Sequence, residues 1–207
     1  MIHTKEDLKR YLYADREAQP PHPNIILRHF DPIYRIKTLI RLCEYHFNLS
    51  SNSFYHKVAY YCRKLQLKRL EDRFCSEFAI NVFDEGLVIW HPQRIIINPN
   101  AKVGKHCSIS SGVVIAQAHN MCPTIGDNVE LMIDCAVLGN IHIANNVRIG
   151  AKTLVIKNIN AVNTTWAGIP AKKMVVPEKL RTLDRGRPWR DSQFASTRLS
   201  PSRDMSR

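Results

Sequence analysis

Histidine and cysteine are the side chains here with the widest chemical range, nine of the first and six of the second in 207 residues. An imidazole titrating near neutrality can take a proton from a hydroxyl, and a thiolate can attack or bind a metal. Spacing decides which uses stay open. The cysteines at 43, 62, 75, 107, 122 and 135 contain no C-x-x-C pair, so neither a zinc knuckle nor a dithiol redox motif is written. The histidines show no metal-ligand spacing, and no metal site is expected.

The elements that must position these residues follow from a repeat. Apolar residues stand at Ile97, Val103, Ile109 and Ile115, six apart. After an insertion the beat resumes at Ile125, Leu131, Val137, Ile143, Ile149 and Val155. A second series follows each beat by four: Ala101, Cys107, Val113, then Val129, Cys135, Ile141, Val147 and Thr153. Helices repeat every 3.6 residues and strands every two; a period of six belongs to a parallel β-helix, in which each hexad supplies one short strand and one corner. Cys107 and Cys135 fall in inward slots and read as packing. The corner residues Asn98, Asn100, Asn128, Asn145 and Asn146, with Gly104, Gly126 and Gly150, suit left-handed backbone. His106 and His142 fall between beats, as solvent-facing corners. His119 lies in the insertion Ala116–Pro123, and a long loop interrupting a solenoid is commonly functional, so His119 is a substrate-contact candidate.

Before the repeat, three helices are expected over 4–19, from Pro32 to about Phe47, and from Phe54 to about Phe74, with Pro20, Pro21 and Pro23 ending the first. Thr4 with Asp7 suggests a capping box; Val58, Tyr61, Cys62 and Leu65 form the apolar stripe of the third helix. The reading is a mainly β chain: an N-terminal helical domain over 1–75, a β-helix over 76–174, and a basic tail over 175–207 expected to be poorly ordered after about Asp184. The net charge of +12 divides as +6 on residues 1–75, zero on 76–171 and +6 on 172–207. Basic flanks suit an acidic polymer, a membrane surface or nucleic acid, but no zinc finger, helix-turn-helix or aromatic RNA motif is present, and nucleic acid is not the expected partner. No apolar run approaches a membrane span, and the first residues lack the apolar stretch of a secretory signal, so a cytoplasmic protein is the expectation.

Four segments carry a family resemblance: Ile95-Ile96-Ile97-Asn98-Pro99-Asn100-Ala101-Lys102-Val103-Gly104, Pro123-Thr124-Ile125-Gly126-Asp127-Asn128-Val129, Ile149-Gly150-Ala151-Lys152, and Ala167-Gly168-Ile169-Pro170-Ala171-Lys172. In this order they resemble the left-handed parallel β-helix acyltransferases built from hexapeptide repeats, in particular the serine acetyltransferase-like branch that includes capsular and exopolysaccharide O-acetyltransferases. The resemblance covers about residues 74–174. It implies a homotrimer, with acetyl-CoA as acetyl donor in the groove between neighbouring prisms.

The resemblance also assigns roles. A histidine just before the Asn-Pro-Asn-Ala-Lys-Val-Gly segment is the family's general base; here it is His91, in Val88-Ile89-Trp90-His91-Pro92. Its acidic partner lies fourteen or fifteen residues earlier, where Ser76 and Glu77 stand, and Glu77 is the candidate; Asp84 and Glu85 read as corner residues. The last coils imply Gly150, Ala151, Lys152, Gly168, Lys172 and Lys173 as acetyl-CoA contacts. Serine acetyltransferases carry Asp directly before the catalytic histidine and Arg-His before the Pro that follows the loop. This chain has Trp90 in the first place and Met121 and Cys122 in the second, which loses a cation for an amino-acid carboxylate. A tryptophan there suits stacking on a sugar ring. The expected function is therefore O-acetylation of a sugar or polysaccharide hydroxyl, with serine O-acetylation as the alternative, and a catalytically weak β-helix binding or scaffold protein as the alternative of another class.

Overall fold

The structure, a computed structural model, describes residues 1–51 and 53–175. The expected tail, with its punctuating Pro177 and Pro188, lies outside the described residues from 176 onward.

Four helices precede the repeat: α1 (Lys5–Ala18), α2 (Ile25–Phe30), α3 (Pro32–Asn48) and α4 (Phe54–Phe74). Thr4 and Asp7 form the reciprocal capping box of α1. The short α2 escaped the sequence reading because prolines crowd its entrance; Asn24 starts it by accepting from the Ile26 and Leu27 N–H groups. Asp31 starts α3 in the same way, followed by Pro32 in the first turn, where its missing N–H costs nothing.

The repeat folds into stacked triangular coils. Thirteen short strands alternate among three sheets, giving a prism of parallel strands with three faces. Face 1 stacks β1 (Val88–Ile89), β4 (Ser108–Ile109), β7 (Glu130–Leu131), β10 (Arg148–Ile149) and β12 (Thr165–Ala167), and closes on antiparallel β13 (Lys172–Lys173). Face 2 stacks β2 (Ile96–Ile97), β5 (Val114–Ala116), β8 (Ala136–Leu138) and β11 (Leu154–Val155). Face 3 stacks β3 (Lys102–Val103), β6 (Thr124–Ile125) and β9 (His142–Ile143). Every beat from Ile97 to Val155 points inward and is buried, as is every member of the second series, Cys107 and Cys135 included. Burial in this apolar interior pushes the Cys135 thiol up to about 12 and the Cys107 thiol higher still, so both are inert packing groups.

The corners correct one expectation. Gly104, Gly126 and Gly150 lie outside the left-handed region, and so do Asn98, Asn100 and Asn145. Gly104 and Gly126 are small because the next coil presses on them. A Cβ on Gly104 would stand 2.3 Å from Asp127 Oδ1, and one on Gly126 2.2 Å from Asn145 Oδ1. Those oxygens are occupied: Asp127 accepts from the Lys105 N–H at 2.8 Å, and Asn145 from the Asp127 N–H at 2.9 Å. Seven of the left-handed residues line up in two columns. His106, Asn128 and Asn146 mark the edge between faces 3 and 1; Arg94, Gly112, Asp134 and Lys152 mark the edge between faces 1 and 2. His106 is an exposed corner as expected, whereas His142 sits on strand β9, facing outward from face 3.

Helices and prism share one core, in which Ile36, Ile40, Cys43 and Leu67 meet Phe78, Leu87 and Ile89. Beside it lies a buried charge cluster with no signature in the sequence pattern. Fully buried Arg41 donates to Asp15 at 2.9 and 3.2 Å, to Glu44 at 3.1 Å, and to the Phe83 and Asp84 carbonyls at 2.8 and 2.7 Å. Burial works against its charge, but Asp15 and Glu44 outweigh burial and hold the guanidinium protonated. Asp15 also accepts from the Gly86 and Leu87 N–H groups at 2.9 and 2.8 Å. The cluster thus clamps α1 and α3 onto the segment that becomes β1. The α4 stripe corrects a second expectation: Val58, Tyr61, Cys62 and Leu65 are exposed, and α4 packs through Leu67 and Leu70 instead.

Candidate active site

His91 stands on the turn that leaves β1 at the edge between faces 1 and 2, with its side chain exposed. The turn is held from three sides. Gln19, the C-cap of α1, brackets Ile89, accepting from its N–H at 3.2 Å and donating to its carbonyl at 2.8 Å. Trp90 donates from Nε1 to Ser108 Oγ at 2.9 Å, which fixes the indole on face 1 beside the histidine. Buried Ser76 donates from Oγ to the Pro92 carbonyl at 2.6 Å and accepts from the Ile95 N–H at 3.0 Å.

Glu77 occupies a strand position on face 2, bridged to Ile96, and its side chain is exposed. No hydrogen bond or ion pair joins it to His91 among the described residues. Asp84 and Glu85 are engaged elsewhere, Asp84 by the Tyr11 hydroxyl at 2.6 Å and Glu85 by Arg10 at 3.0 Å and Lys105 at 2.9 Å. Arg94, on the same turn as His91, was not singled out from the sequence. Its guanidinium reaches along the edge to Asp134 at 3.0 Å, over Gly112, where a Cβ would stand 2.0 Å from Asp134 Oδ1. Only its left-handed φ of 56° marks it, and that depends on the coil above rather than on local sequence.

The insertion leaves face 2 after β5 and returns to β6, so His119 lies on the edge between faces 2 and 3, across face 2 from His91. His119 and Asn120 both have positive φ, and Ala118 and Met121 exchange backbone hydrogen bonds around them at 3.0 and 3.1 Å. This is the two-residue turn with paired left-handed centres that closes hairpins tightly. His119 is exposed at its tip.

The remaining candidates gather toward the other end of the prism. Gly150 follows β10, and a Cβ there would meet that of Ala167 at 3.2 Å. Ala151 and Lys152 follow on the edge between faces 1 and 2, both exposed. Gly168 follows β12 with φ 102°, and exposed Lys172 and Lys173 pair with Ala167 and Trp166. Lys152 shares its edge with His91. The column Arg94, Gly112, Asp134 and Lys152 climbs three coils, a distance of about 14 Å at roughly 4.8 Å per strand spacing. An exposed imidazole and an exposed ammonium on one edge suit a long, extended substrate with a phosphate at one end and its reacting group at the other. Among the described residues, no group of three or more His, Cys, Asp or Glu side chains is arranged to hold a metal ion.

No protein-family profile matches the chain. It is similar to the serine acetyltransferase of Synechococcus elongatus, 36% identical over 92 residues that make up 42% of this chain and 37% of that protein. The chain spans less than half the length of the curated relatives it matches. Among solved structures, soybean serine acetyltransferase complexed with serine superposes with a TM-score of 0.64 at 21% identity, over 82% of this chain and 70% of that one. A serine acetyltransferase complexed with CoA superposes with a TM-score of 0.58 at 17% identity, over 82% and 71%. The chain therefore has the hexapeptide-repeat β-helix fold, with an N-terminal helical region, found in serine acetyltransferase structures.

Proposed function

We propose that this chain is an acetyl-CoA-dependent O-acetyltransferase with His91 as general base and serine as acceptor. The observation that carries the reading is the shared prism edge: His91 is exposed on a rigidly held turn, and Lys152 stands three coils along the same line. In this assignment the thioester lies at His91, and the phosphates reach Lys152, with Lys172 and Lys173 beyond; Gly150, Ala151 and Gly168 leave the backbone of the last coils open to the donor. The imidazole takes the hydroxyl proton as the acceptor oxygen attacks the thioester carbonyl, and returns it to the departing thiolate sulfur. Such base catalysis is worth roughly 10²–10⁴-fold. Glu77, on the adjoining face, is the carboxylate proposed to orient the ring once substrate is bound, when catalytic contacts tighten.

The named relatives support serine over the sugar expected from Trp90, Met121 and Cys122. Arg94 does not answer the objection to serine: it stands on the turn of the base, but its guanidinium is paired with Asp134 at 3.0 Å. Trp90 and His119 are the proposed walls of the acceptor site. A homotrimer would complete it. Beyond Glu77 at its first position, the outward row of face 2 is apolar, from Ile96 through Val114 and Ala136 to Leu154, while the corresponding rows of faces 1 and 3 carry Glu130, Arg148, Lys102 and His142. With face 2 turned toward a threefold axis, the His91 edge of one copy meets the His119 loop of the next.

The test is thiol release from acetyl-CoA across serine, free sugars and acidic oligosaccharides, with sedimentation velocity on the same preparation. Turnover on serine by a three-copy assembly is expected. Turnover on a sugar alone restores the carbohydrate reading. No turnover together with no CoA binding overturns the enzyme in favour of a binding protein.

A further inference from the structure

Helix α4 has two apolar faces, and among the described residues only one is covered. Its inner face, Leu67 and Leu70, enters the shared core. On the opposite face Phe54, Val58, Tyr61 and Leu65 stand at spacings of four, three and four, one above another along three turns, and are 81%, 45%, 57% and 63% exposed. Exposed Lys57 and Lys68 flank this spine on one side and exposed Arg69 on the other. The helix carries six basic residues against two acidic ones.

The charges decide what can cover the spine. A second α4 laid against it would bring together two margins of net positive charge, Lys57, Lys68 and Arg69 against Asp72, which pairs with Lys68 at 2.8 Å, and this opposes a coiled-coil pairing. The chain's own residues 172–207 are excluded on the same ground, with ten basic and four acidic side chains. Nucleic acid would answer the cations but offers no bed for Val58 and Leu65. We propose that α4 docks on an anionic lipid surface, with Phe54, Val58, Tyr61 and Leu65 set into the boundary between headgroups and acyl chains and Lys57, Lys68 and Arg69 among the headgroups. Apolar residues in the middle, aromatics at headgroup depth and cations at the margins form the pattern of an interfacial helix. Each cation near such a surface contributes about fivefold in affinity.

The full-length protein is tested by co-sedimentation with vesicles of phosphatidylcholine alone and of equimolar phosphatidylcholine and phosphatidylglycerol. Retention on the anionic vesicles only is expected, lost at high salt, reduced about fivefold in Lys57→Gln and at least about tenfold in Leu65→Ser. Both variants sit at exposed positions, and an unchanged thermal midpoint shows that they remain folded. Equal retention on both vesicle types, or on neither, overturns the proposal. So does a wild-type assembly that Leu65→Ser splits into smaller species without vesicles, since the spine would then be a contact between copies.

Discussion

Ser76 shows how much of the candidate site is made by residues with no chemistry of their own. It is buried, and its hydroxyl serves two backbone groups on the turn that carries His91. Ser76→Ala leaves the Ile95 N–H and the Pro92 carbonyl without that partner, and a loss of about 1–3 kcal/mol in urea unfolding is expected; wild-type stability would show that the turn is held by other means. Sequence reading reached His91, Glu77 and their spacing through resemblance, and it weighed Ser76 only as the neighbour of a carboxylate. It placed the inward residues correctly one by one, because a hexad beat reports directly on burial. The corner glycines were misjudged for a physical reason. Their smallness answers pressure from Asp127 and Asn145, roughly twenty residues further along the chain, and a local turn pattern carries no trace of that.

The elements were largely legible. Caps, prolines and the change from helical to hexad period set the boundaries of α1, α3, α4 and the strands. The inner face of α4 was not, since Tyr60, Leu67 and Leu70 on one side and Val58, Tyr61 and Leu65 on the other give the helix no single apolar stripe. Equally hidden was the polar joint between helices and prism, where Lys37 donates to the Asp15 and Leu87 carbonyls at 2.8 and 3.1 Å and to Gln19 at 3.1 Å. Burial, reinforced by the nearby Arg41 charge and opposed by Asp15, lowers the Lys37 pKa from 10.5 to about 8. The folded value lies below the unfolded one, so between these two pH values the unfolded chain holds more protons and unfolding becomes harder as pH rises. The slope is at most about 1.4 kcal/mol per pH unit. Denaturant unfolding across that window should show wild type gaining stability relative to Lys37→Met. A difference that stays constant with pH would mean that Lys37 keeps its ordinary titration.

At the scale of the whole molecule, three faces of one prism have three characters. Beyond Glu77, face 2 is apolar, face 3 is polar, and face 1 holds Trp90 against Ser108 and the Glu130–Arg148 pair. Candidate groups fall on the two edges that bound face 2 and on the last coils of face 1, where the proposed homotrimer would bring copies of the chain together. The prism and its repeat were readable from the sequence. The alignment of His91 with Lys152 was not, because 61 residues separate them and only the stacking of coils brings them onto one line. Helix α4 lies before the prism, and no helix among the described residues is long and apolar enough to cross a membrane. The central claim is that this edge performs acetyl transfer with His91 as its base. The direct measurement compares wild type and His91→Ala for CoA affinity by calorimetry and for thiol release from acetyl-CoA with serine. The expected result is unchanged CoA affinity with turnover reduced by roughly 10²–10⁴-fold. Full turnover in His91→Ala would contradict it.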